Sequence, residues 1–169
     1  MSQLDVKRVN RIISMLFEEM KLLSDDERDL PVVWNVMHMY SSSQLAKIIA
    51  LRRGMDVELA AIAGGIHDIA VIVTKKTDGH AKRSEIYVRD LINKYNNKWR
   101  EDLPIITKEE ENLLVNAIIN HSDKETYSED KFIELLKDID SLDRYLHGVK
   151  TEGEYLIRCN RVLKELGIK

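Results

Sequence analysis

Residues 60–73 read Ala-Ala-Ile-Ala-Gly-Gly-Ile-His-Asp-Ile-Ala-Val-Ile-Val, an apolar run interrupted near its middle by two ionisable side chains, His67 and Asp68. Asp56 is placed to cap a helix ahead of the pair, and Leu59, Ala60, Ile62 and Ala63 carry its apolar residues toward it. Ala60, Ala63 and Gly64 share a face with His67, so the wall beside the imidazole is built of small residues that leave room for a ligand or a close helix. Gly64 and Gly65 are otherwise poor choices inside a helix, by about 1 kcal/mol each relative to Ala.

Outward from this run, apolar residues recur at three- and four-residue spacing and almost nowhere alternate, which predicts helices joined by short polar turns. The first is expected over residues 4–23. Pro31 opens a long second helix that Gly54 ends, and Asp56 opens the third. After the loop from Thr74 to Gly79 a fourth helix runs from His80 to about Asn96, and Thr107 with Glu110 makes a capping-box signature for a fifth that ends near His121. A sixth follows the polar stretch 122–130 and ends at Gly148, and a seventh spans about 151–166. No repeat or long linker divides the 169 residues, so the expectation is an all-α, compact single-domain bundle of about seven helices over residues 1–169.

Composition agrees and excludes several function classes. Charged residues make up 33% of the chain, Gly occurs seven times and Pro twice, which favours a helix-rich globular protein over a β-sandwich or a disordered chain. A formal net charge of −3 with mixed signs gives no strong nucleic-acid or membrane-surface signal. No signal peptide or membrane span is apparent, and cytoplasmic residence is the default expectation. The single cysteine, Cys159, shares a helical stripe with Leu156, Leu163 and Leu166 and reads as a buried apolar residue.

The five histidines are more informative. His38 falls on the stripe of Trp34, Leu45 and Ile49; His80 on that of Ser84, Tyr87, Val88 and Leu91; His121 on that of Leu114, Ala117 and Ile118. Asp140 lies on the stripe of Ile133 and Leu136, a costly place for a carboxylate unless a cation awaits it. Any one inward histidine is more often a hydrogen-bonded core residue than a ligand. Four imidazoles and two carboxylates on converging helix faces call for a common partner, and a divalent metal satisfies them all. His147, just before Gly148, reads as helix-end chemistry.

With those residues in place, the sequence resembles the HD superfamily of metal-dependent phosphohydrolases, whose pattern is a first histidine, a His-Asp doublet and a distant aspartate. The corresponding residues are His38, His67-Asp68 and Asp140, and the resemblance covers roughly residues 34–146. The stretches from Ala60 to Ile66 and from Asp138 to Arg144 fit the surroundings of the doublet and of the last aspartate. A subset of the superfamily carries two further histidines, which His80 and His121 resemble. The resemblance implies that His38, His67 and Asp140 serve one ion, that His80 and His121 serve a second, and that Asp68 bridges them. Val71 stands where many members carry Lys or Glu, which argues against the single-metal nucleotidase type, and the signatures of the guanosine-tetraphosphate and cyclic-dinucleotide hydrolases are not found.

The expected activity is hydrolysis of a nucleotide or related small phosphoester by metal-activated water, with one or two divalent ions (Mn, Fe, Co, Zn or Mg) as cofactor. Candidate phosphate-facing cations are Lys75, Lys76, Lys82, Arg83, Lys124 and Arg144. Lys124 and Arg144 are favoured as catalytic partners of Asp68 because each lies within one turn of an expected ligand. Asp143 could orient a ligand or a water. The loops Asp25–Leu30 and Asn96–Pro104 are expected to shape substrate choice. Two other readings stay open on the same ligands: a di-iron oxygenase and a non-catalytic, metal-retaining nucleotide sensor. A homo-oligomer is compatible with the sequence.

Overall fold

The computed structural model describes residues 4–168, among which no strand occurs. Eight helices follow in order: α1 (Lys7–Met20), α2 (Val32–Arg53), α3 (Val57–Ile66), α4 (Ile69–Thr74), α5 (His80–Trp99), α6 (Lys108–Asn120), α7 (Lys131–Leu146) and α8 (Gly153–Glu165). The boundaries follow local chemistry. Gly54 ends α2 at φ 65, a left-handed conformation that glycine adopts without penalty. Thr107 and Glu110 form the reciprocal capping box of α6, and Asp130 accepts from the Phe132 and Ile133 amides at the start of α7.

The helix count exceeds the expected seven by one, because the run that opened the reading is divided at His67-Asp68. Asp68 leaves helical geometry at φ −95 and ψ 18, and α4 restarts as the Val71 and Ile72 amides return to the Asp68 carbonyl. Ser84 of α5 repairs the break: its hydroxyl donates to the His67 carbonyl at 3.1 Å and accepts from the Ala70 amide at 3.3 Å. Backbone groups that the break would orphan are thus satisfied from a neighbouring helix. Periodicity alone could not reveal a restart whose stabilising partner comes from α5.

The small residues before the break serve close helix packing. A Cβ at Gly64 would stand 2.8 Å from the Ser42 carbonyl oxygen of α2, and one at Gly65 would meet the Ile13 side chain of α1. Helices α1, α2 and α3 therefore close on one another along this wall, with Ile12, Ile49, Ile62, Ile66, Leu114 and Ile118 in the buried core. Arg8 ties α1 to α3 and α6 by donating to Glu58 at 2.6 Å and to both Glu110 oxygens at 3.0 Å. One stretch among the described residues, 57–74, is long and apolar enough to cross a membrane; it holds the α3–α4 break and is 72% buried within the bundle.

Candidate metal centre

Four of the eight helices and the turn between α3 and α4 bring the six expected residues to one point. His38 lies within α2, His67 and Asp68 form the break, His80 opens α5, His121 ends α6 and Asp140 comes from α7. The imidazoles form two pairs: His38 Nε2 and His67 Nε2 are 3.1 Å apart, as are His80 Nε2 and His121 Nε2. Asp140 Oδ1 lies 3.3 Å from His38 Nε2 and 3.7 Å from His67 Nε2. Asp68 sits between the pairs, with Oδ2 3.6 Å from His38 Nε2 and Oδ1 3.0 Å and 3.4 Å from His80 and His121 Nε2.

Each imidazole has its outer nitrogen committed. Nδ1–H of His67 donates to the Gly64 carbonyl at 2.8 Å, that of His80 to Thr77 at 2.7 Å, and that of His121 to Ile118 at 2.6 Å. His38 Nδ1 instead meets the Asp143 carboxylate, beside the Ser42 hydroxyl, with the Trp34 ring stacked on the imidazole. The Nδ1 bonds select the tautomer whose Nε2 carries a lone pair, and all four lone pairs point inward. Two lone pairs 3.1 Å apart repel each other unless a cation or proton stands between them.

The charges reflect this. Burial works against the His38 imidazolium, but hydrogen bonds to Asp140 and Asp143 and the Asp68 charge outweigh it and raise its pKa to about 10. Burial likewise opposes the His80 imidazolium, and Asp68 reverses the effect, leaving the pKa raised. Burial pushes His121 down to about 4 despite Asp68. Asp68 and Asp140 are held well below the usual carboxylate range because surrounding imidazoles, and for Asp140 also Lys124, overcome the cost of burial. The two imidazoles whose charged form is favoured, His38 and His80, come one from each pair.

The donor set fits divalent metal. Nitrogen and carboxylate ligands about 2.1 Å from one ion at right angles stand about 3 Å apart, close to the 3.1 Å of each imidazole pair. Asp68 Oδ1 is buried without a well-aligned hydrogen bond although three imidazoles face it, which marks an acceptor waiting for a cation. Three overlapping groups could each hold an ion: His38, His67 and Asp68; His67, His121 and Asp140; and Asp68, His80 and His121.

The expected cations fare differently. Lys124 is buried and donates to Asp140 Oδ2 and to the His121 carbonyl, both at 2.6 Å, so two of its three N–H bonds are committed within the centre. Burial pushes its ammonium pKa down against the pull of Asp140. Arg144 is half-buried one turn beyond Asp140, and its charge is felt at Tyr155. Lys82 is exposed beside His80. The basic loop turns away: Lys75 and Lys76 donate to the Asp26 and Glu27 carbonyls and Lys76 also to Asp29, while Arg83 donates to the Lys76 carbonyl. These three are corrected from phosphate-facing groups to braces between the loops at 25–30 and 74–79.

Two further expectations change. His147 does end α7, but its ring reaches back to the Ser41 hydroxyl at 3.0 Å and packs edge-on against Trp34, supporting the surroundings of His38 rather than the helix terminus. The stretch 96–104 is at the far end of α5, about 24 Å along the helix axis from His80, too far to line the centre. Sequence reasoning missed Ser84, Ser122, Tyr155 and Arg158. Ser122 Oγ is 3.2 Å from His80 Nε2, and Arg158, fully buried, donates to the Lys124 carbonyl at 3.0 and 2.9 Å. A signal for Arg158 was present: it adjoins Cys159 and precedes Val162 by four residues, a charge on an apolar stripe.

Compared with known proteins, the chain is matched by the family model for the HD domain over residues 35–146, which takes in all six converging residues and leaves α1 and α8 outside. No curated protein and no solved structure matches it.

Proposed function

The chain belongs to the HD domain family, whose members are generally metal-dependent hydrolases, and from that premise we propose that it cleaves a nucleotide or related small phosphoester at a two-ion centre. In this reading His38, His67 and Asp140 hold one ion, His80 and His121 hold the other, and Asp68 contributes to both. The single observation that carries it is the pair of 3.1 Å imidazole contacts with every outer nitrogen already bonded and Asp68 set between them. Two separate gaps between lone pairs suit two cations better than one.

When bound, divalent ions supply a water of lowered pKa and positive charge for phosphoryl oxygens. The chain does the rest. The four Nδ1 hydrogen bonds fix ring orientation, so the centre needs little reorganisation. Lys124 holds Asp140 Oδ2 and leaves Oδ1 facing His38 and His67, with one N–H left for a substrate oxygen. Arg144 is the fixed cation for a phosphoryl oxygen on the α7 side. Burial of His38, His67 and His121 keeps bulk water from that wall of the centre.

Protein purified without chelator is expected to carry close to two divalent ions per chain by elemental analysis and to release phosphate or alcohol from a panel of phosphoesters under manganese or magnesium without oxygen. Oxygen consumption, an oxo-bridged iron absorption band and no hydrolysis would instead establish the di-iron oxygenase. Tight nucleotide binding without turnover would establish the sensor.

A further inference from the structure

The six candidate ligands are unequally covered, and the gradient gives the centre a direction. Side-chain exposure is 1–2% for His38, His67 and His121, 7% for Asp140, 13% for Asp68 and 19% for His80. The open edge is therefore at His80 and Asp68, on the side away from α2. A cavity of about 630 Å³ meets the centre at His80 alone among the six, with Ser122, whose Oγ is 3.2 Å from His80 Nε2, in its wall and Ala81 and Ile119 supplying apolar surface. That volume lies in the range of about 300–1,000 Å³ that holds small organic ligands.

The charges around the cavity restrict what can enter. Lys75, Lys76 and Arg83 are engaged with the neighbouring loops and Lys124 with Asp140, which leaves Lys82 at the cavity. Two exposed carboxylates, Asp78 and Asp123, stand in the same lining as Lys82, so the cavity wall is net acidic. A chain of phosphates extending from the centre into this space would lie against both carboxylates with one lysine to offset them. A neutral body with hydroxyls would find acceptors in the Asp78 and Asp123 carboxylates and in the Thr77 and Ser122 hydroxyls.

We propose that the substrate carries a single phosphate esterified to a neutral, hydroxyl-bearing alcohol of sugar or nucleoside type, seated with its phosphate at the two-ion centre and its alcohol in the cavity bounded by His80, Lys82, Ser122, Asp78 and Asp123. This deepens the hydrolase reading and rests on it. Water adds to phosphorus, the ester P–O bond breaks with its electron pair going to the alcohol oxygen, and the two protons of water end one on the alcohol and one on the phosphate. No oxidant or further reactant is required.

The test compares ribose 5-phosphate and uridine 5′-monophosphate with uridine 5′-triphosphate on the manganese-loaded chain. The monoesters are expected to exceed the triphosphate in kcat/KM by at least about tenfold, the penalty of setting like charges together. Asp78→Asn combined with Asp123→Asn is expected to bring that ratio toward unity, and Lys82→Ala to raise KM for the monoesters more than it lowers kcat. As a readout independent of turnover, inorganic phosphate is expected to raise the melting temperature of the metal-loaded chain more than triphosphate does, with the order lost in the double variant. Triphosphate cleaved as well as the monoesters, or a ratio unmoved by the double variant, overturns this proposal and leaves the hydrolase reading standing. No turnover of any ester with both ions bound overturns the hydrolase reading, and this proposal with it.

Discussion

Helix α7 carries acids on two faces, and the two faces meet opposite fates. Glu134 and Asp138 face α8, where the buried Arg158 guanidinium donates to both at 2.8 and 3.1 Å and Arg53 adds a bond to Asp138 at 2.7 Å. Lys137, also buried, donates to the Thr126 carbonyl and lies 3.5 Å from Glu134. Asp140, two residues beyond Asp138 and so on the opposite side of the helix, faces imidazole lone pairs and a single lysine. The first cluster is closed: each acid named has a cation supplied by the chain. In the second, donors outnumber the positive charges the chain supplies. Burial of charge therefore does not by itself mark a functional site; a buried group whose partner is missing does.

This contrast can be broken by mutation. The largest effects are expected at the open cluster: His67→Ala and Asp68→Ala should each abolish phosphoester turnover and metal retention, with helical circular dichroism largely unchanged. Full metal content in either variant, by elemental analysis, would remove the distinction between the two faces. At the closed cluster, Arg158→Met should cost about 1–3 kcal/mol of stability in urea titrations, because it removes buried hydrogen bonds to Glu134, Asp138 and the Lys124 carbonyl while Arg53 still partners Asp138. Most of the loss should remain in chelator, apart from what passes through the Lys124 carbonyl, and a loss that vanished in chelator would show that the two faces act as one.

Chelation should destabilise the native chain without unfolding it. If the ions are present at about a hundred times their dissociation constant, their removal takes away about 2.7 kcal/mol, read as a lower melting temperature restored by manganese. Variants that lack the centre should show no such shift.

The last effect concerns pH, and its alkaline limb is expected in the metal-free form and not in the loaded one. In the metal-free chain His38 is raised to about 10, so the stability from its proton is complete below its ordinary value of about 6.5 and is lost as pH rises through about 10. His121 is depressed to about 4, so its contribution is present above about 6.5 and is lost as pH falls toward 4. Stability in chelator should therefore peak near pH 6.5 and decline on the alkaline side. Metal competes with the proton on His38, so the alkaline decline should disappear in the loaded form, and metal addition near pH 6 should release protons. A flat alkaline limb in chelator would contradict the short His38 contacts with Asp140 and Asp143.

Much of the centre was legible in the sequence because helical periodicity is local. His38, His80, His121 and Asp140 each announce their direction through apolar neighbours three and four residues away, and the caps at Asp56, Thr107 and Gly54 are short-range chemistry. The break at Asp68 was not legible because the group that stabilises it, Ser84, arrives from another helix. Lys75, Lys76 and Arg83 read as free cations because a lysine or arginine carries no local sign of which carbonyl or carboxylate it will meet.

What the sequence by itself determined is an all-helical chain with four imidazoles and two carboxylates aimed inward. Only the tertiary structure decided that the outer nitrogens are taken, that Asp68 stands between two imidazole pairs, and that Arg158 closes the acids on the far side of α7. The physical reason is one of range. A side chain's direction is set within a turn or two of its own helix, whereas the partner it meets is set by helices as far as a hundred residues away, as Asp143 is from His38.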